Sequence, residues 1–383
     1  MSRAYTSGHT PGHICRRTHR LSAFVSMFAA VLLGACATTP TEEERAPVFY
    51  PPLPNPPRIQ FLASFSEAKD VGDEPSAFAR FVAGEETEDR HLVKKPYGVS
   101  VYQGRIYLVD TRGGGYGVFD LVKRRADFIL GGGGGSLQKP INITIDKDGT
   151  KYITDTDREQ ILVYSAEDKF LRAFGVEGQF KPGDVAIVGD KLYVTDLNHH
   201  QIHVLDKATG KTLFRFGKTG SKEGELFYPT NLAVSEDGFL FVSDTGNFRV
   251  QKYTLEGRFV RSFGSIGTRL GQFARPKGIA LDRQGRMYVV DAAFGNVQLF
   301  DRDGRLLLFF GEAGERRESI NLPTAIHIDY DNVRYFQKYA DPKFKLEYVI
   351  LVASQFGRNK VAVFGFGRMD GMEYPEMIQP LKR

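Results

Sequence analysis

Residues 229–264 read PTNLAVSEDGFLFVSDTGNFRVQKYTLEGRFVRSFG, and the pattern in this stretch decides the fold. Four short runs of alternating apolar residues lie at Asn231–Val234, Phe239–Ser243, Arg249–Tyr253 and Phe259–Phe263. Three turn-forming pairs separate them: Asp237-Gly238, Gly246-Asn247 and Glu256-Gly257. Such pairs favour tight turns between antiparallel strands. Four short strands in a unit of about 45 residues are typical of one blade of a β-propeller.

The same pattern recurs along the chain. Six copies start at Pro96, Pro140, Pro182, Pro229, Pro276 and Pro323, at intervals of 44, 42, 47, 47 and 47 residues. The copies together predict an all-β protein, a six-bladed β-propeller over residues 58–366. Only a polar tail, residues 367–383, would follow it.

The last copy supplies three of its four strands, at Ala325–Ile328, Tyr348–Ala353 and Lys360–Phe364. The missing outer strand has a counterpart at the other end of the chain. Phe61–Phe65 (FLASF) resembles the outer strand FLRAF at Phe170–Phe174. We therefore expect this N-terminal strand to complete the last blade and close the ring, which pairs an otherwise open sheet edge.

Recurring residues inside the copies resemble the NHL repeat family. An Asp ends the second strand of five copies, as Asp110, Asp155, Asp196, Asp244 and Asp291. A Phe-Gly pair ends four of them, at Phe174, Phe216, Phe263 and Phe310. The last copy departs, with Ser354 in place of the Asp and an insertion around residues 331–345. Because the Asp recurs in nearly every copy, we interpret it as a structural residue that accepts backbone N–H groups in its turn.

The amino terminus carries an export signal. Residues 1–35 contain four Arg and no acidic residue, and Leu21–Ala35 is uncharged. Leu33-Gly34-Ala35-Cys36 resembles the bacterial lipoprotein lipobox, which implies that residues 1–35 are a signal peptide and that Cys36 is lipidated. Ordinary cleavage, or a retained helix over Leu21–Thr39, are the alternatives. The same resemblance, without an Asp after Cys36, implies an outer-membrane protein facing the periplasm.

Residues 36–57 contain seven Pro and predict a spacer between anchor and propeller. The formal net charge of +5 falls to +1 once residues 1–35 are left out. No dense basic stripe remains, so we expect no nucleic-acid partner. Two Cys exclude a disulfide-rich scaffold and a Cys-clustered metal site.

Candidate site residues follow the starting prolines by two positions. These are Gly98, Asn142, Asp184, Asn231, Gly278 and Ala325, which equivalent blades would place around the mouth of a central channel. Asn142, Asp184 and Asn231 form the predicted ligand site, with Gly98 and Gly278 leaving room beside it. His199, His200 and His203 lie close together in one blade, and we interpret them as turn residues with no metal site predicted.

The predicted function is a lipid-anchored cell-envelope module that binds or scaffolds a protein or a small ligand, without a cofactor. The membrane, through the anchor, and an envelope protein are the expected partners. The alternative is a propeller hydrolase of lactonase type. Resemblance to propeller lactonases would then imply calcium in the central channel, bound by side-chain oxygens such as those of Asn142, Asp184 and Asn231.

Overall fold

Alternating apolar residues and turn glycines make each repeat a small antiparallel sheet. The computed structural model describes residues 46–72 and 92–374. The chain enters with strands β1 (Phe49–Tyr50) and β2 (Ile59–Phe65), and a 3-10 turn at Ala68–Asp70 follows. Four-stranded sheets follow as blades one to five, and a five-stranded sheet forms blade six.

The strands of blades one and two have the following bounds. Blade one contains β3 (Pro96–Tyr102), β4 (Arg105–Asp110), β5 (Gly115–Asp120) and β6 (Arg125–Ile129). After a 3-10 turn at Gly133–Gly135, blade two contains β7 (Pro140–Ile145), β8 (Lys151–Asp155), β9 (Gln160–Tyr164) and β10 (Phe170–Phe174).

Blades three to five repeat this order. Blade three contains β11 (Pro182–Val188), β12 (Lys191–Asp196), β13 (Gln201–Asp206) and β14 (Thr212–Phe216). Blade four contains β15 (Pro229–Val234), β16 (Phe239–Asp244), a 3-10 turn at Thr245–Asn247, β17 (Arg249–Thr254) and β18 (Phe259–Phe263). Blade five contains β19 (Pro276–Leu281), β20 (Met287–Asp291), β21 (Asn296–Phe300) and β22 (Leu306–Phe310).

Blade six combines strands from both ends of the described chain. It contains β23 (Asn321–Asp329), β24 (Phe344–Phe356) and β25 (Val361–Met369), with β2 and then β1 added beyond β25. The insertion between β23 and β24 holds a short helix, α1 (Val333–Phe336), and a 3-10 turn at Gln337–Tyr339. No helix in the described part of the chain is long and apolar enough to cross a membrane.

The six inner strands form a closed ring around a channel. Each contacts the inner strand of the next blade, and β23 of the last blade contacts β3 of the first. Apolar side chains fill the gaps between neighbouring sheets. One such cluster joins Phe65 and Leu351 of blade six to Val101 and Phe119 of blade one. The six-bladed prediction is therefore confirmed, and the core lies between blades.

The predicted closure is also confirmed. Strand β2 pairs antiparallel with β25, with Ile59 opposite Phe366 and Phe65 opposite Val361. The propeller is longer at both ends than the predicted residues 58–366. Phe49 and Tyr50 add a fifth strand on β2, because Phe49 packs on Phe344 and Met369.

Two predicted boundaries therefore need correction. The spacer predicted for residues 36–57 contains a strand of the propeller, and the tail predicted for residues 367–383 begins inside β25. The Tyr374 hydroxyl donates to the Pro57 carbonyl at 2.9 Å, which ties the start of that tail to the entering chain. The signal peptide predicted for residues 1–35 lies outside the described residues.

Closure can be tested by one side chain of β2. Phe65 is buried and its ring lies 6.1 Å from that of Phe119 in blade one. We expect Phe65→Ala to lower the free energy of unfolding by about 3–5 kcal/mol, the usual cost of removing a buried aromatic ring. Leu171 on the outer strand of blade two is 49% exposed, so Leu171→Ala should change it by less than about 0.5 kcal/mol. Urea unfolding of both variants measures this, and equal effects would refute closure through β2.

Candidate functional site

A buried carboxylate holds the start of the inner strand in five blades. We call the face where the inner strands begin the upper face. There, Asp110 accepts the N–H groups of Lys94 and Lys95 at 2.7 and 3.0 Å. Asp291 accepts those of Ala274 and Arg275 in the same way, at 2.8 and 3.1 Å. Equivalent bonds reach Asp155, Asp196 and Asp244.

These carboxylates therefore have a structural role. Each fixes the backbone of the loop that precedes a starting Pro, and most also accept N–H groups of their own turn, as Asp110 does from Arg112 at 2.9 Å. Both tasks need a buried oxygen acceptor, and the N–H groups compensate its desolvation. Ser354, which replaces the Asp in blade six, has a buried hydroxyl without a hydrogen-bond partner among the described residues.

The three neighbouring histidines serve the same loop. His199 Nδ1 and His203 Nε2 both contact Asp196 Oδ2, at 2.7 and 3.1 Å. Burial would raise the pKa of Asp196, but His203, a backbone N–H and His199 lower it well below its usual range. His200 instead accepts the N–H of Tyr228 at 3.0 Å. His199 and His200 lie in the turn, as expected. His203 does not: it is a buried residue of β13, which corrects the interpretation of all three as turn residues.

The predicted trio does come together at the channel. Asn142, Asp184 and Asn231 line one cavity of about 300 Å³ inside the ring of inner strands. Both amide side chains hydrogen-bond to the Asp184 carboxylate. Its two oxygens also accept backbone N–H groups, Oδ1 from Val185 at 2.8 Å and Oδ2 from Leu232 of the next blade at 2.9 Å. Asp184 thus links blades three and four.

The trio is enclosed and nearly satisfied. Burial raises the pKa of Asp184 to about 7, although the N–H groups of Leu232 and Val185 and the two amides oppose that shift. Near neutral pH, therefore, Asp184 is partly protonated. One oxygen, Oδ1 of Asn231, is buried without a hydrogen-bond partner in the described structure. A single free oxygen offers little to a cation that takes six to eight oxygen ligands.

The glycines beside the trio do not leave room for a ligand, which corrects that expectation. A Cβ on Gly98 would lie 2.3 Å from Oδ1 of Asn142 and 2.6 Å from its Cα. A Cβ on Gly278 would lie 2.7 Å from the Cα of Ala325. The positions two residues after each Pro face the next blade, so glycine there permits close approach of neighbouring inner strands.

Deeper in the channel most of the lining side chains are apolar. Ile143, Val185, Leu232, Ile279 and Ile326 contribute to the cavity. His327 also lines it; burial lowers the pKa of this imidazole, and the Asp329 carboxylate opposes the shift. Although most of these side chains are apolar, polar atoms make up more than half of the accessible lining of the cavity.

The residues immediately before the starting prolines surround the channel mouth. They are Lys95, Lys139, Lys181, Tyr228, Arg275 and Leu322, so four of six are basic and none is acidic. We call them the rim. The sequence analysis looked two residues after each Pro and missed this position. Aligning the repeats one residue before each Pro would have revealed the basic rim, because equivalent positions lie on one circle in a propeller.

Two residues that follow a starting Pro, Tyr97 and Lys277, lie at the beginning of inner strands and so near this mouth. Tyr97 of blade one lies close enough to Arg275 of blade five and Asp184 of blade three for both charges to affect its pKa. Burial, the largest cause, raises that pKa to about 12. The side chain of Tyr97 therefore lies within electrostatic reach of charged groups from two other blades.

Lys277, which follows the starting Pro of blade five, is the second residue near the channel mouth. It is only 5% exposed, and its Nζ lies 5.8 Å from the centre of the Tyr228 ring. Burial, followed by the charge of Arg275, lowers the pKa of Lys277 to about 8. We define the channel mouth by Tyr97, Tyr228, Arg275 and Lys277.

Exposed aromatic side chains flank the same face. Phe227 and Tyr228 precede β15, and Phe356 ends β24. About half of each side chain is exposed. The ring of Phe227 lies 5.0 Å from that of His200, and the Lys95 ammonium lies 5.9 Å from the ring of Phe356. Aromatic and basic side chains together are typical of surfaces that bind other molecules.

Comparisons with known proteins agree with the repeat and the fold. The NHL repeat family model matches residues 228–253. A segment of 109 residues is 36% identical to the protein brain tumor of Drosophila melanogaster, covering 27% of this chain and 10% of that protein. A segment of 109 residues is 29% identical to a probable peptidyl-alpha-hydroxyglycine alpha-amidating lyase of Caenorhabditis elegans. This match covers 27% of this chain and 31% of that protein. The chain thus spans less than a third of either relative.

Solved structures share the architecture. A protein of unknown function from Bacteroides thetaiotaomicron superposes with a TM-score of 0.57 at 17% identity, over 80% of this chain and 75% of that one. A gluconolactonase from Xanthomonas campestris superposes with a TM-score of 0.52 at 17% identity, over 72% of this chain and 86% of that one. At such identity the likeness concerns the fold alone. The chain therefore contains a segment that matches the NHL repeat, within the fold of a six-bladed β-propeller.

Proposed function

We propose that the protein is a lipid-anchored binding module of the bacterial cell envelope. Cys36 carries the anchor, the propeller faces the periplasm from the outer membrane, and the upper face holds a protein or a small ligand. The observation that carries the binding role is the difference between channel and rim. Polar side chains in the channel are engaged in holding blades together, whereas the rim presents basic and aromatic side chains to solvent.

The donor set of the channel supports binding over the lactonase alternative. Calcium would need several free oxygens, yet both oxygens of Asp184 accept backbone N–H groups. The Asn142 Oδ1 accepts the N–H of Ile143 at 3.1 Å. A cation there would have to break the contact between blades three and four. The residues present therefore do not fit a calcium ion, and we derive no metal-dependent step.

Photo-crosslinking tests which face binds. A photoreactive phenylalanine analogue in place of Phe227 reports on the upper face, and one in place of Val122 reports on the turn between β5 and β6 at the opposite face. Both native side chains are about half exposed, which makes the positions comparable. We expect a discrete adduct in intact cells from position 227 and none from position 122. Adducts from both positions alike, or from position 122 alone, would overturn the assignment of the upper face.

The anchor is tested by cell fractionation. We expect Cys36→Ala to move the protein from the membrane to the soluble fraction, because stable anchoring needs more than one acyl chain and these would be lost. Cys15→Ala is a matched control, since Cys15 lies in the segment predicted to be removed. Membrane association of Cys36→Ala with an uncleaved amino terminus would instead support a retained helix.

The contribution of Asp184 to the free energy of unfolding depends on pH. Its pKa of about 7 lies above its ordinary value of 3.8, so the folded protein binds this proton more tightly than the unfolded chain does. Stability contributed by that proton is full at low pH and is lost as the pH rises through 7. Between pH 5 and pH 8 we expect the wild type to lose about 3 kcal/mol of unfolding free energy relative to Asp184→Asn.

Urea unfolding of both proteins at the two pH values measures this, and other titrating groups cancel in the difference. Parallel pH dependences would show that Asp184 is not desolvated as described. Calcium, added to the same samples, should leave the Tm of the wild type unchanged. A calcium-dependent rise that Asp184→Asn removes would favour the hydrolase alternative.

A further inference from the structure

Lys277 is a buried cation without a counter-ion. Its side chain is almost fully shielded from solvent, and it forms no ion pair within residues 46–72 and 92–374. The charge that affects it most is another cation, Arg275, and its described partner is the face of the Tyr228 ring. An ammonium that is recessed in this way loses much of its hydration and has no ion pair to compensate for the loss, which is costly. An anion that bound next to Lys277 would therefore be strongly stabilised.

The rim increases the attraction for an anion. Lys95, Lys181 and Arg275 form no ion pairs in the part of the chain that the structure describes, and Lys139 reaches only Asp157, at 3.6 Å between two exposed side chains. Their backbones are fixed by Asp110, Asp155, Asp196 and Asp291, so the cations stay grouped around the opening. Like charges converging on one cleft focus the field and raise the local concentration of oppositely charged ligands.

The mouth also supplies a neutral donor and an apolar wall. Burial raises the pKa of Tyr97 to about 12, so its hydroxyl stays protonated and can donate a hydrogen bond to an oxygen. Tyr228 presents an exposed ring beside Lys277. A guanidinium, an ammonium, a hydroxyl and an aromatic ring around one opening match a carboxylate or phosphate group on a small organic molecule.

We propose that the channel mouth is an oxyanion site, in which Lys277, Arg275 and Tyr97 hold the carboxylate or phosphate of a small organic anion. The inference rests on the proposed binding function and names the chemistry of its ligand. The recessed position of Lys277 favours a small group that enters the mouth over a broad macromolecular surface. The near-zero net charge outside residues 1–35 also argues against a nucleic acid.

Calorimetric titration and thermal unfolding with inorganic phosphate and with acetate test this, against chloride at equal ionic strength. Three variants are compared with the wild type: Lys277→Met, Arg275→Gln and Lys147→Met. Lys147 is an exposed lysine in the turn after β7 at the opposite face, so its variant controls for the loss of one charge. Methionine matches the length and volume of the lysine stem.

We expect at least one of the two anions to bind saturably to the wild type and to raise its Tm. Lys277→Met and Arg275→Gln should each weaken that affinity by about tenfold or more, as loss of a charge-assisted hydrogen bond does. Lys147→Met should bind as the wild type does. Without anion, Lys277→Met should melt no lower than the wild type, because it removes an uncompensated buried charge. Which of the two anions binds shows whether the site takes a carboxylate or a phosphate group.

Three outcomes would overturn the inference. If neither anion binds saturably to the wild type, the channel mouth is not an oxyanion site. Equal weakening by Lys147→Met would show a general charge effect. Unchanged affinity in both Lys277→Met and Arg275→Gln would place the anion elsewhere. The photo-crosslinking at position 227 is independent of all three, so a negative result here leaves the proposed binding function separately testable.

Discussion

The hydrogen bonds from backbone N–H groups to a buried Asp at the end of the second strand are the contacts on which the rest of the molecule depends. In each of five blades they join the second strand to the loop that enters the inner strand. A loop at a protein surface is otherwise free to take many conformations, at a cost of about 1–2 kcal/mol per residue when it is ordered. Fixing that loop sets where the inner strand starts, and hence the width of the channel and the position of every rim side chain.

The fold could be predicted almost completely because its information is local. Alternation of period two and turn pairs such as Asp237-Gly238 recur in each repeat, and β15 to β18 lie within two residues of the predicted runs. The closing strand was readable because Phe61–Phe65 resembles the outer strands of other blades. Strand β1 could not be predicted, because two residues in a proline-rich segment are too few to show the alternation of apolar residues that indicates a strand. What holds β1 is the distant pair Phe344 and Met369.

The candidate site could be predicted only in part. Equivalent positions in the repeats were enough to bring Asn142, Asp184 and Asn231 to one cavity. The sequence does not say how far apart neighbouring blades lie, so the contact of Gly98 with Asn142 could not be foreseen. Nor does it show that Tyr97, Asp184 and Arg275, from alternate blades, lie within electrostatic reach of one another. That proximity arises from closure of the ring and has no counterpart in sequence spacing.

Closure through β2 also sets the order in which the protein can fold. Residue 61 pairs with residue 364, so the strand made first must wait for the strand made last. Contacts this far apart in sequence form slowly, because a long loop must close before they contribute. Until then the partial ring exposes the edge of an unfinished sheet. This delay would suit a protein that is exported as an unfolded chain, as we propose for this one, because the ring could not close until both β2 and β25 had crossed the membrane.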